Sequence, residues 1–267
     1  MNELYHHGIK GQQWGVMHGP PYPIDRSKHI TIKKGSKFSH VTNTKKMRLD
    51  DRGVYAFDPN DEHDSDVYRG AYSTGLKMKK ILSPVYEQSF ETVEDLKLPT
   101  RKEKVDAFIE TVSDKTESRL KNGQTLEQYL DNYVARINMK ILGLKMYNPQ
   151  DYMSKQKLYD SMIDDGKKWI EKRDKDSGYK LFMGNFAIKS EMSGASQKFV
   201  ENLIKRGYNA IIDDNDSGRY NDAHNPLYVF NGKKSLKNVG RRKVTISEMA
   251  EATDRLKRKL GRSLDYT

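Results

Sequence analysis

Cysteine is absent from the 267-residue chain. Its absence excludes disulfide bonds, thiolate catalysis, cysteine-ligated zinc and iron–sulfur clusters. The sequence also lacks an apolar run of the roughly 20 residues that span a membrane, and its first residues lack the apolar core of a secretory signal. No segment matches a Walker phosphate loop, a dinucleotide-binding glycine fingerprint or a hydrolase nucleophile elbow. These absences disfavour the common kinases, dehydrogenases and hydrolases, and they predict a protein made in the cytoplasm.

Hydrophobic residues are scarce, at 35% against 32% charged residues, with a mean hydropathy of −0.90. This composition predicts that part of the chain is exposed or extended. The net charge of +11 is concentrated at the ends, because residues 1–50 carry nine basic and three acidic side chains and residues 232–267 carry eleven and four. A phosphate-binding surface is therefore expected at the ends. The alternative is that lysine-rich ends only keep the chain soluble.

Composition and periodicity divide the chain into three regions. Residues 1–29 are rich in glycine and proline and predict an extended leader. Residues 30–231 predict an α+β domain with a small mixed or antiparallel sheet, into which a helical block is inserted at residues 98–173. Residues 232–267 predict a basic linker followed by an amphipathic helix.

The last of these regions supplies candidate nucleic-acid contacts. Residues 233–243 are predicted to be the linker, and residues 247–260 carry a narrow apolar stripe beside several cations, which predicts a basic amphipathic helix. The candidate nucleic-acid-binding residues are Arg241, Arg242, Lys243, Arg255, Lys257 and Arg258.

Short strands are expected on both sides of the helical block. Runs of β-prone residues bounded by turn residues predict strands at residues 29–33, 37–42, 54–57, 209–212 and 226–230. A helix over residues 196–206 is expected to end at Gly207, which favours the left-handed conformation found at helix ends.

Capping signals mark the helices of the inserted block. Thr100 with Glu103, and Thr125 with Gln128, have the spacing of a capping box, in which each side chain bonds a free backbone N–H group of the first turn. A third helix is expected over residues 153–172, with its apolar residues turned inward.

No metal site is predicted. His6 and His7 are neighbours whose side chains point apart in an extended segment, and no acidic or cysteine ligand follows them at metal spacing. Residues 58–66 are rich in Asp and also contain His63, but they lack the glycine and closing glutamate of a calcium loop. They are interpreted as an acidic surface loop.

The leader carries the densest motif, YHHGIKGQQWGVM at residues 5–17, followed by GPPYP at residues 19–23. It resembles a recurrent peptide of the form HHGIKGQKWGVR that occurs at the ends of proteins encoded in the head and tail modules of phages and prophages of Gram-positive bacteria. The sequence departs from that pattern at Gln13 and Met17, where basic residues are usual. The resemblance implies a protein made alongside virus particle components.

A second resemblance covers most of the remaining chain. It rests on IKKGSKFSHV at residues 32–41, VYAF at 54–57, DVY at 66–68, GYNAIIDD at 207–214 and PLYVFN at 226–231. These segments look like the ADP-ribosyltransferase-like folds of phage-associated polypeptides. In those folds one strand presents an arginine to the phosphates of NAD, a second supports the nicotinamide ribose, and a late loop carries an acidic catalytic group.

The resemblance implies site residues by position. His40 stands where the arginine is expected, and Tyr55 and Tyr68 accompany it as candidate NAD-binding residues. Asp213 and Asp214 are the candidate catalytic acids, although neighbours on a strand point to opposite faces. The other candidates for the acid are Asp216 and Asp222, and the alternative for residues 213–218 is a solvated turn.

Two functions of different classes follow. The first is a phage virion-associated accessory or structural protein whose ADP-ribosyltransferase-like domain is inactive and requires no cofactor. It would contact capsid or tail proteins, and packaged DNA through its basic ends, and would be found in the virion and, during assembly, in the host cytoplasm. The alternative is an active NAD-dependent mono-ADP-ribosyltransferase, an effector delivered to or made in the host.

Overall fold

A computed structural model of the chain describes residues 27–79, 84–186, 193–213 and 223–260. The leader motif at residues 5–17 lies outside them. The strands are β1 (Ile30–Ile32), β2 (Lys37–Thr42), β3 (Val54–Ala56), β4 (Val85–Thr92), β5 (Leu96–Leu98), β6 (Ala210–Ile212), β7 (Leu227–Val229) and β8 (Leu236–Val244). The helices are α1 (Glu62–Lys79), α2 (Arg101–Ser113), α3 (Leu126–Tyr147), α4 (Pro149–Lys172), α5 (Lys175–Phe186), α6 (Ser193–Lys205), α7 (Gly232–Ser235) and α8 (Ile246–Leu260).

The strands form small antiparallel sheets. One sheet has the order β2-β4-β8, a second has the order β3-β7-β6, and β1 pairs with β5. A bridge between Ser39 and Phe57, with both backbone bonds at 2.9 Å, connects the first two sheets. The predicted α+β class is therefore confirmed, and none of the sheets in the described part of the chain closes into a barrel.

Five of the strands lie where alternation and turn residues predict them, with ends that differ by about one residue. They are β1, β2, β3, β6 and β7. Gly35 and Gly207 both have φ of +89°, a conformation that side chains with a Cβ rarely adopt. Gly207 follows α6 and allows the chain to turn into β6, as the sequence predicts.

The helical block forms around its predicted caps. Both capping boxes are confirmed. The side chains of Thr100 and Thr125 each accept a bond from the backbone N–H of the third helical residue, and the backbone N–H of each threonine donates to the side chain of that residue, Glu103 or Gln128. The third helix begins earlier than expected, at Pro149, and only part of its apolar face is inward. Trp169 is buried, whereas Leu158 and Ile170 are each 43% exposed.

One hydrophobic core joins the helical block to a sheet. Phe108 of α2 lies at its centre, with ring contacts to Trp169, Tyr179 and Phe182. The same cluster continues through Phe199 to Ile211 and Phe230 beside the β3-β7-β6 sheet. The helical block therefore shares its core with the rest of the domain.

Four of the longer elements have no counterpart among the strands and helices predicted from the sequence, namely α1, β4, α5 and β8. Residues 58–66, interpreted as a surface loop, include the first turn of α1, and β4 lies between α1 and the helical block. The predicted linker at residues 233–243 forms α7 and most of β8, which pairs with β4 over its whole length. The sequence of β8 does not alternate between apolar and polar residues, because only Leu236 and Val244 at its ends are buried.

The predicted amphipathic helix forms as α8 and packs along α1. Its stripe of Met249, Ala252 and Leu256 is buried, and Leu256 approaches α1 at Gly70. The apolar face of α8 is thus part of the fold. No helix in the described ranges is both long enough and apolar enough to cross a membrane.

Candidate functional site

Three of the residues selected from sequence motifs meet where the two three-stranded sheets join. His40 lies on β2, Tyr55 on β3, and Asp213 directly after β6. The hydroxyl of Tyr55 donates to Oδ2 of Asp213 at 2.8 Å. Nδ1 of His40 lies 2.7 Å from the backbone carbonyl oxygen of Tyr55. A hydrogen-bonded chain therefore links residues that are separated in sequence by 15 and 158 positions.

The environment of His40 defines what its side chain can bind. Burial lowers the pKa of the imidazole below its usual value, and this outweighs the hydrogen bond to Tyr55, which raises it. The ring is therefore neutral near pH 7. Because a carbonyl oxygen can only accept, Nδ1 carries the proton and Nε2 is left as an acceptor. His40 is suited to accept a hydrogen bond from a hydroxyl group, and unsuited to pair with a phosphate.

Asp213 is buried, and backbone bonds hold it and the residue before it. Its residue is 1% exposed, and its backbone N–H donates to the carbonyl oxygen of Pro226 at 2.9 Å. Lys104 of α2, itself buried, donates from Nζ to the carbonyl oxygen of Ile212 at 3.1 Å. No sequence signal marks Lys104 as a buried residue, since a lysine inside a helical pattern is normally on the solvent face.

An aromatic wall lies beside Tyr55. The rings of Tyr55 and Tyr228 have centroids 4.7 Å apart, and Phe186 meets Tyr228 edge to face at 5.4 Å. Burial raises the pKa of the Tyr228 hydroxyl. Gly53 allows this packing, because a Cβ at its position would overlap the Tyr228 ring. Tyr228 belongs to the PLYVFN segment at residues 226–231, which predicts a strand but no role for this side chain.

The remaining candidates for NAD binding and catalysis are placed elsewhere. Tyr68 is 2% exposed and stacks on Phe57, with centroids 4.7 Å apart and 11° between the rings. It belongs to the core beneath β2 and α1. Asp214, Asp216 and Asp222 lie outside the described residues.

A second group of polar side chains lies at the start of α1. His63 and Asp64 are buried there, and His224, from the segment that precedes β7, stacks on His63 with ring centroids 3.9 Å apart. Asp64 accepts backbone N–H bonds from His224 at 2.6 Å and Asn225 at 3.0 Å. The interpretation of residues 58–66 as an acidic surface loop is corrected here. Helical geometry turns the carboxylates of Asp64 and Asp66 into the fold.

Two of the six nucleic-acid-binding candidates are bound to carboxylates within the fold. Arg242 on β8 donates to Glu87 at 2.6 Å and also pairs with Glu248. Arg255 on α8 donates to both oxygens of Asp66, at 2.8 and 2.7 Å.

The other four candidates lie on β8 and α8. Arg241 and Lys243 are exposed and two residues apart on β8, so they share one face of the strand. Lys257 is half-buried on α8, and Arg258 is exposed beside it. The exposed cations of β8 are therefore the part of the predicted basic surface best placed to meet a partner.

Known proteins give no further indication of function. No family model, no curated protein and no solved structure matches this chain. The chemistry of the site therefore rests on its own geometry. It offers a neutral imidazole acceptor, a buried carboxylate held by a tyrosine hydroxyl, and an adjacent aromatic wall.

Proposed function

We propose that this chain is a phage-encoded, virion-associated accessory protein whose body is ADP-ribosyltransferase-like and binds NAD beside His40, Tyr55 and Asp213. One observation carries the proposal. Each of these residues was selected from a different motif, and hydrogen bonds join all three into one chain. The leader motif supports the association with phage particles.

The donors and acceptors of the site are compatible with the ribose part of NAD. Nε2 of the neutral His40 accepts from a ribose hydroxyl, which is the group that a neutral imidazole binds best. The flat ring of Tyr55 lies next to Tyr228 and provides an aromatic surface for a planar base. The position expected to be arginine thus contributes a hydroxyl contact in place of a phosphate contact.

An active transferase would use the carboxylate of Asp213 as its catalytic base. In ADP-ribosyl transfer the bond between ribose C1′ and the nicotinamide nitrogen breaks, and nicotinamide leaves with the bonding electrons. A nucleophile on the acceptor forms the new bond to C1′ and gives its proton to a carboxylate. Asp213 is oriented for this role by the hydroxyl of Tyr55. Release of nicotinamide would distinguish this alternative from binding alone.

Substitution of Tyr55 by phenylalanine tests the hydrogen-bonded chain. Tyr55→Phe keeps the ring against Tyr228 and removes the donor to Asp213. Because loss of this bond leaves the Asp213 side chain no longer pre-oriented for a ligand, we expect NAD affinity to fall at least about tenfold. Calorimetric titration of the 267-residue chain measures the change. Tyr147→Phe, at an 88% exposed position on α3, is the control and should bind as wild type does. Equal affinity in wild type and Tyr55→Phe would contradict the assignment.

The particle association has its own test. Mass spectrometry of purified phage particles should detect peptides from this chain at a constant ratio to the capsid proteins. If peptides occur in the infected-cell lysate and are absent from particles, the protein acts free in the host and the first part of the proposal fails.

A second candidate function, DNA binding by the basic surface, is favoured by the position of Arg241 and Lys243 on β8. Arg241 also lies over the ring of Tyr86, which adds an aromatic group to this surface. We expect the double variant Arg241→Ala, Lys243→Ala to weaken binding of duplex DNA and to reduce the slope of log affinity against log salt by roughly 1–2. A fluorescence anisotropy titration at several salt concentrations measures both effects.

A matched control removes two exposed cations elsewhere. Lys172→Ala, Lys175→Ala changes the net charge equally, at the end of α4 and the start of α5, and should leave DNA affinity near that of wild type. Equal losses in both double variants would show a general charge effect and no defined DNA-binding surface.

A further inference from the structure

Three potential metal ligands converge at the first turn of α1. His63, Asp64 and His224 each offer one ligand atom, and these atoms all lie within 4.8 Å of one another. His63 and Asp64 are neighbours on the helix, whereas His224 comes from the segment that precedes β7. Two parts of the chain about 160 residues apart therefore bring two imidazoles and one carboxylate to one point.

The backbone around the three ligands is fixed. Asp64 accepts bonds from the N–H groups of His224 and Asn225, which hold the second segment against α1. Each carboxylate oxygen has a further lone pair, so these bonds leave Asp64 able to coordinate an ion. His63 and Asp64 are buried and His224 is exposed, so that the ligand set has a buried side and a side open to solvent.

The orientation of the rings requires a small adjustment before one ion can contact all three ligands. Zinc bonds to imidazole nitrogen and carboxylate oxygen are about 2.0–2.2 Å long, so two ligands of one ion lie at most about 4.4 Å apart, close to the 4.8 Å within which these atoms lie. The rings of His63 and His224 stack with 18° between their planes, whereas a metal bond lies in the plane of its imidazole. One ion can therefore bind both imidazoles only after the exposed His224 ring rotates out of this stack.

We propose that His63, Asp64 and His224 bind a divalent transition-metal ion, with solvent completing its coordination. Two nitrogens and one oxygen suit zinc, cobalt, nickel and manganese, whereas magnesium and calcium prefer ligand sets made of oxygen alone. Three protein ligands with an open position are typical of an exchangeable or reactive ion, because structural zinc sites have four protein ligands. Such an ion would bind the segment before β7 to α1, at the side of the fold formed by α1 and α8.

The site is separate from the proposed NAD site. Its ligands lie in the first turn of α1 and just before β7, whereas His40 lies on β2, Tyr55 on β3 and Asp213 directly after β6. Metal binding can therefore be present whether or not the chain binds NAD, and the two proposals fail independently.

Cobalt binding tests the proposal directly. The seven histidines of the chain include His6, His7 and His18 of the leader, and any imidazole is a possible metal ligand. The 267-residue chain is therefore prepared with these three replaced by alanine, and is titrated with Co²⁺ while visible absorption and heat are recorded. We expect one equivalent to bind with the absorption bands of a nitrogen and oxygen ligand set, and to be displaced by Zn²⁺ and by neither Mg²⁺ nor Ca²⁺.

Variants assign the ion to the three residues. In that background His224→Ala should weaken Co²⁺ binding at least about tenfold. Removal of a residue that only supports a metal ligand already lowers metal affinity about 10- to 100-fold, and removal of the ligand itself should lower it at least as much. His29→Ala, which changes an exposed histidine near α2, should bind as the parent does. Because His224 is exposed, the variant is expected to fold, and circular dichroism checks this. Absence of Co²⁺ binding in the parent, or equal affinity in His224→Ala, would overturn the proposal.

Discussion

Replacement of Glu87 by alanine is expected to lower the free energy of unfolding by about 3 kcal/mol. The Glu87 side chain is 6% exposed on β4, and it accepts bonds from Arg69 of α1 at 3.0 Å and from Arg242 of β8 at 2.6 Å. Its removal leaves the guanidinium of Arg69, which is 20% exposed, without its carboxylate. The loss is expected near the lower end of the range for buried pairs, because Arg242 keeps Glu248 as a partner.

A neighbouring ion pair on the same strand provides the control. Glu91 pairs with Lys237, whose side chain is 53% exposed, so Glu91→Ala should cost less than about 1 kcal/mol. Urea unfolding of both variants gives the comparison. If Glu87→Ala is no less stable than Glu91→Ala, Glu87 does not hold α1 and β8 together as we infer.

Replacement of Phe108 by alanine is expected to lower the free energy of unfolding by about 3–5 kcal/mol. Phe108 is fully buried and contacts the rings of Trp169, Tyr179 and Phe182. Alanine leaves a cavity that these large, interlocked rings fill only in part. Because the cluster continues to Ile211 and Phe230, the loss should affect the unfolding of the whole domain.

The number of unfolding transitions tests the shared core. We expect a single urea transition in wild type, shifted to lower urea in Phe108→Ala, by both circular dichroism and tryptophan fluorescence. Met139→Ala, at a 72% exposed position on α3, should change stability by less than about 0.5 kcal/mol. Two separate transitions, with only the first shifted, would show that the helical block folds independently of the sheets.

The sequence predicted those elements whose signals are local. Thr100 and Thr125 begin α2 and α3 because capping depends on residues within one turn of the helix. Gly207 ends the turn after α6 for the same reason, since its positive φ is a property of one residue. The α+β class follows from such signals.

Elements with polar residues in the core were missed. α1 turns His63, Asp64 and Asp66 inward, and β4 buries Glu87 and Gln88, so that neither shows a clean apolar period. Their partners lie far away in sequence, as Arg242 and Arg255 do, and no local pattern reveals such pairing. β8 is held by backbone hydrogen bonds to β4, and these bonds leave no pattern of alternating side chains in the sequence.

The candidate site was predicted in part. Motif positions selected His40, Tyr55 and Asp213, whereas the burial that keeps the His40 imidazole neutral became visible only in the fold. Lys104 and His224 carried no signal, because their contacts with Ile212 and with Asp64 are set by tertiary packing.

Titration of NAD into the 267-residue wild-type chain shows whether His40, Tyr55 and Asp213 form an NAD site. We expect saturable binding of one NAD per chain, which Asp213→Asn weakens by at least about tenfold because the carboxyl group that the Tyr55 hydroxyl orients is replaced by an amide. Absence of measurable binding of NAD to the folded wild-type chain, or unchanged affinity in Asp213→Asn, would contradict the assignment of this site.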